Sequence, residues 1–189
     1  MLSDYQILEF KNSVAWRTWL DDNHMASDGV WLRTYKKASG VASVTYTEAL
    51  DEALCYGWID GQRKSYDELS FIQKFTPRRA RSIWSKRNVE HVARLTNGGA
   101  MMPAGFAEVE RAKLDGRWDA AYDSAKNMEI PADFLLALKQ NQKAEAFFDT
   151  LNKTSRYAIG FKLQTAKKPE TRANRIAVLI TMLENNQKP

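Results

Sequence analysis

The sequence predicts an α+β protein: a small antiparallel sheet with helices in the N-terminal part, followed by a C-terminal bundle of about four helices. Three observations lead there. Aromatic and β-branched residues crowd 30–36 and 71–76, and with 62–66 these runs are set off by Gly, Pro and Asp, the punctuation of strands and turns. Apolar residues between 134 and 183 recur at three- and four-residue spacing, the period of amphipathic helices. The composition, 44% hydrophobic and 27% charged with six Trp, seven Tyr and eight Phe, suits a packed core rather than a disordered chain.

The elements follow in order. Val14, Trp16, Trp19 and Leu20 mark a helix over 13–22, with Asn12 or Ser13 as its cap. Asp28-Gly29 turns the chain into a strand from Val30, and Ser39-Gly40 turns it out again. Thr45 stands three residues ahead of Glu48, a capping box. The helix it opens places Leu50, Ala53, Leu54 and Trp58 on one face, with Gly57 and Gly61 bracketing its end. Two short strands, 62–66 and 71–76, come next, and Pro77 stops the second. A helix from 79 or 82 to 96 ends at Asn97-Gly98-Gly99, and another runs from Pro103 to Leu114. Residues 117–130 read as an irregular connection between a lobe at 1–116 and a helical lobe at 131–189. In the latter, Phe134 to Leu138, Ala144 to Leu151, 153–165 and a helix from Pro169 complete the bundle.

Charge is segregated. The chain carries net +5, yet residues 61–94 hold nine Lys and Arg against three Asp and Glu, and residues 152–189 hold eight against two. Either the basic blocks meet as one face, or they pair with acidic stretches across the fold. Cys55 is the single cysteine, so an intramolecular disulfide is excluded and a reducing compartment is natural. The first six residues show no basic and apolar leader pattern, and no run is long enough to span a bilayer, so a cytoplasmic protein without a membrane span is expected. One Cys and two separated His make no zinc site, and no nucleotide, dinucleotide, nucleophile-elbow or zincin motif is present, so no metal or cofactor is expected.

The densest chemistry lies at 56–88. Arg78, Arg79 and Arg81 precede Ser82, read as a helix N-cap, with Lys86 and Arg87 beyond. Guanidinium groups at a helix N-terminus favour an anion. The alternative is an ordinary ion-pair network with Asp51, Glu52 or Asp60. Trp58 and Trp84 would stack on a base or belong to the core. Asp60 would orient Arg79 or Arg81, serve as a base, or simply form a turn. Cys55 and His91 are the one thiol–imidazole combination available, and a buried Cys is usually inert. The second basic block puts Lys168, Arg172 and Arg175 on one helix face, as a binding stripe or a solvated one.

The 50–61 stretch Leu-Asp-Glu-Ala-Leu-Cys-Tyr-Gly-Trp-Ile-Asp-Gly, the 75–88 block and the ending Ala166-Lys167-Lys168-Pro169-Glu170-Thr171-Arg172 through Arg175-Ile176 resemble the YdeI/OmpD-associated family, whose C-terminal helical part is the OmdA or bacteriocin-protection domain. The resemblance spans roughly residues 8–185. It implies a link to resistance against bacteriocins and cationic antimicrobial peptides, with no established reaction, cofactor or catalytic residue. The family has been described as periplasmic, from which a chain without a leader departs. Together these readings favour a non-enzymatic bacterial stress-resistance protein that binds an anionic small molecule or nucleic acid through Arg78, Arg79, Arg81, Ser82, Lys86 and Arg87, shaped by Trp58, Trp84 and Asp60. An enzyme on a small anionic metabolite, with Asp60 or Tyr56 as acid or base, is a second reading. A module holding a protein partner on its C-terminal helices is a third. Oligomeric state is left open.

Overall fold

The computed structural model describes residues 5–189; residues 1–4, part of the stretch read for a leader, lie outside the described residues. Two compact units are present. The first comprises Met1–Ile83 and Asn88–Asp119, the second Trp84–Arg87 and Ala120–Pro189.

The first unit is built on strands β1 (Ile7–Glu9), β2 (Val30–Tyr35), β3 (Trp58–Ser65) and β4 (Ser70–Pro77), in the order β1-β2-β4-β3. The α+β class stands, with one correction: β1 runs parallel to β2, so the sheet is mixed rather than antiparallel. β1 is only three residues long and has no alternation to betray it. Helix α1 (Ser13–Asn23) crosses from β1 to β2, capped by the Asn12 side chain on Ala15 N at 3.0 Å. Helix α2 (Tyr46–Cys55) opens with the expected capping box.

Directly paired strand residues share a face, so Val30, Leu32 and Thr34 of β2 line up with Phe75, Gln73 and Phe71 of β4. The Val30 end of that face meets α1 in an aromatic core. Trp16 stacks on Trp19 at 5.3 Å between ring centres, and both meet Trp58 edge-on. Both buried indoles are satisfied, Trp16 Nε1 donating to Ala49 O and Trp58 Nε1 to His24 O.

Two further corrections fall here. Trp58 is not on α2: Gly57, at φ +74, ends the turn after the helix and Trp58 begins β3 opposite Pro77. Gly61 likewise lies in β3, at a register shift between Asp60 and Arg63. Helix α3 begins at Lys86, not at 79 or 82, and ends at Asn97. Side chains hold the preceding loop out of helical form: Ser82 Oγ accepts from Arg79 N, Arg78 donates to Ile83 O and Arg117 to Ser82 O. Ser82 is therefore no helix cap. Helix α4 (Pro103–Leu114) completes the unit, and Gly105 lets it approach the Cys55 carbonyl at the end of α2.

The second unit packs α5 (Ala132–Leu138), α6 (Gln142–Asp149), α7 (Lys153–Gln164) and α8 (Pro169–Glu184) around Phe134, Leu138, Phe148, Ile159, Leu163, Leu179 and Leu183. Among the described residues no helix is long and apolar enough to cross a membrane.

Candidate functional site

The sheet face that carries the aromatic core continues past the start of α2, and there it opens. The floor of the opening is Thr34, Phe71 and Arg63; one wall is Thr45 and Tyr46 at the head of α2, the other the strap from Lys36 to Ser43. The cleft encloses about 790 Å³. A single 3₁₀ turn, Lys37–Ser39, and Gly40 at φ +70 bend the strap, while Ser43 Oγ accepts from Tyr35 N to tie it back to β2.

The register shift in β3 aims Arg63. Asp60 pairs with Phe75 and Arg63 with Gln73, so two residues three apart face the same side, which an unbroken strand forbids. Gln73 Nε2 fills the irregularity by donating to Gly61 O at 2.9 Å. Arg63 then lies over the diagonal neighbour Phe71, its guanidinium carbon 3.7 Å from the ring centre. Among the described residues it makes no ion pair and no hydrogen bond, unlike Arg17, Arg33, Arg94, Arg117 and Arg172, each on a carboxylate.

Lys36 and Lys37 add two further cations, Lys36 Nζ donating to Glu68 O, and no carboxylate lines the cleft. Thr34 is 4% exposed and its Oγ1 has no hydrogen-bond partner among the described residues. The N-terminus of α2 is already served by Glu48, whose carboxylate takes both Thr45 N and Thr45 Oγ1. Those bonds, the backbone one first, hold Glu48 below the usual carboxylate range. The cations left at the cleft are Arg63, Lys36 and Lys37. Tyr46 donates its hydroxyl to Asp60 at 3.0 Å, which places Asp60 just behind the cleft wall.

The nominated residues fall in different settings and in both units. Trp58 is a core residue and Arg78 is 5% exposed beneath its loop. Arg79 and Arg81 are exposed in the first unit; Trp84, buried, and Lys86 and Arg87 belong to the second. Lys86 pairs with Asp123 at 2.8 Å, and that contact first, then Gln164, holds Asp123 below its usual range. None of the nominated side chains lines the cleft. Sequence reasoning missed Thr34, Lys36, Lys37, Arg63 and Phe71; a cationic residue diagonal to an aromatic across a hairpin was the one available signal.

Other candidates resolve into structure. Burial pushes the Cys55 thiol up to about 11. His91 is held by Asp51 at 2.6 Å, together with Arg94. Tyr56, 4% exposed, donates to Asp21, and burial raises its pKa. In the second basic block Arg172 grips Asp133 and Leu163 O, and Arg175 bonds to Lys162 O and Thr165 Oγ1, so both secure the end of α7. Among the described residues no cluster of three His, Cys, Asp or Glu could hold a metal ion.

Fold and cleft together define an α+β protein with a cationic, aromatic-walled opening at the end of its sheet, joined in sequence to a helical bundle. Residues 8–108 match the domain of unknown function DUF8412. That span exceeds half of the chain, and the protein belongs to this family. Residues 127–186 match the family described as bacteriocin-protection, YdeI or OmpD-associated, OmdA. The OmdA likeness is therefore carried by the C-terminal helices rather than by nearly the whole chain. No curated protein and no solved structure matches it.

Proposed function

We propose that this protein is a non-enzymatic cytoplasmic binding protein that captures a small anionic ligand in the cleft, in the setting of bacteriocin protection to which its OmdA segment links it. One observation carries the reading: Arg63 is oriented by Phe71, has no acceptor among the described residues, and shares the cleft with Lys36 and Lys37 and no carboxylate. An uncompensated guanidinium held in place by stacking is preorganised for a phosphate or carboxylate. The lone, buried thiol supports a reducing compartment.

A thermal-shift series with phosphorylated and carboxylated metabolites tests it. Selective stabilisation by an anion, lost in Arg63→Ala, is the expected result. Stabilisation of wild type and variant alike would sink it. A second reading, polyanion binding at the exposed Arg79 and Arg81, rests on those side chains having no ion pair among the described residues. It requires nucleic-acid binding that falls steeply with salt and is lost in an Arg79→Ala, Arg81→Ala double variant.

A further inference from the structure

We infer that the ligand of this cleft is a mononucleotide-like molecule, a flat heteroaromatic ring joined to a phosphate monoester; the inference rests on the cleft being the anion site. Three features choose this class. The first is the platform. The Arg63 guanidinium carbon lies 3.7 Å over the Phe71 ring centre, and Arg63 is exposed and lines the opening. A guanidinium plane so mounted takes a flat ring by stacking, while its in-plane N–H groups remain for oxygen acceptors. An acyclic carboxylate would use only the second property.

The second feature is charge. Arg63, Lys36 and Lys37 line the cleft without a carboxylate among the lining residues. A phosphate monoester, close to a dianion at neutral pH, offsets that excess more fully than one carboxylate does. The third is size. A volume of about 790 Å³ lies in the range that holds a whole mononucleotide, and it is generous for inorganic phosphate or a short-chain acid.

Isothermal titration of the full chain at moderate salt tests this. The probes are a nucleoside 5′-monophosphate, its free nucleoside, ribose 5-phosphate, inorganic phosphate and a short single-stranded oligonucleotide. The proteins are wild type, Arg63→Ala, Arg63→Lys and Phe71→Leu, each checked for folding by circular dichroism. The monophosphate is expected to bind roughly tenfold or more tightly than ribose 5-phosphate, the stacking contribution of one base. Arg63→Lys keeps the charge but not the plane and brings the two probes to similar affinity. Phe71→Leu does the same by unmounting the guanidinium.

Equal affinity of the two phosphates in wild type, with both lost in Arg63→Ala, overturns the ring and leaves the anion site standing. Equal affinity of nucleoside and monophosphate overturns the phosphate. Binding of no probe, or binding indifferent to Arg63→Ala, overturns this inference and the cleft reading together. Tighter binding of the oligonucleotide, growing with its length, replaces the inference with a nucleic-acid surface.

Discussion

Thr34→Val is expected to make the first unit more stable and to leave ligand binding in its cleft unchanged. Thr34 sits at 4% exposure on β2, a strand paired on both sides, and its hydroxyl oxygen makes no hydrogen bond among the described residues. A buried hydroxyl stripped of water and given no partner costs roughly 1–3 kcal/mol. Valine puts a methyl where the hydroxyl was, with almost the same shape and an equal or better fit to a strand. Taking the low end of that range, about 1 kcal/mol, the melting temperature should rise by about 2–4 °C for a chain of this size. Trp16, Trp19, Trp31 and Trp58 all lie in the first unit, so their fluorescence follows its melting. Titration of an anionic probe on the same protein should show unchanged affinity, because the buried hydroxyl is closed to the cleft. A lower melting temperature would refute the reasoning, because it would mean the hydroxyl is satisfied in the folded protein. Weaker binding would mean that the hydroxyl reaches the ligand and is not sealed.

Other outcomes are equally definite. Arg172→Ala removes two hydrogen bonds to Asp133 and one to Leu163 O, and should cost about 1 kcal/mol at neutral pH in urea melts, less at high salt because Asp133 is half exposed. Arg172 holds the Asp133 carboxyl below its ordinary value, so its stabilisation is present above about pH 4 and is lost as pH falls through the depressed folded value. The gap between wild type and Arg172→Ala should therefore narrow on acidification through that window; a gap that widens would contradict the pairing. With its pKa near 11, the Cys55 thiol should be about one part in a thousand thiolate at pH 8, so iodoacetamide should label it only after unfolding. Gly105→Ala drives a methyl into the Cys55 carbonyl and should lower stability by about 1–3 kcal/mol, read as an earlier urea midpoint; a neutral effect would mean that α4 can slide on α2.

Local chemistry made much of the fold legible. The Thr45–Glu48 capping box and the Pro103 and Pro169 helix starts are interactions or restrictions within a few residues, and each appears where the sequence put it. The errors lie where a distant partner outbids the local signal. Ser82 has the composition of a cap, but Arg117, 35 residues on, takes its carbonyl, and Arg78 takes that of Ile83. Trp58 fits the α2 period, yet pairing with Pro77 draws it into a strand once Gly57 has turned the chain.

The clustered arginines at 78–87 were conspicuous because they are neighbours in sequence. Arg63 was not, because what distinguishes it is a stack on Phe71 across a hairpin and the lack of any acceptor nearby. Charge counts report how many cations a segment holds. They do not report which are spent on carbonyls, as Arg156, Arg172 and Arg175 are.

By itself, the sequence determined the α+β class, most helix boundaries, the two basic stretches and the OmdA character of the C-terminal helices, because periodicity, capping and motif strings are properties of short stretches of chain. Only the tertiary structure decided the parallel pairing of β1, the division of the 78–87 residues between the two units and the assembly of the cleft. Those depend on strand register, where a shift between Asp60 and Arg63 turns one side chain to the other face of the sheet. Register is set by packing across the whole unit, and no short stretch of sequence contains it.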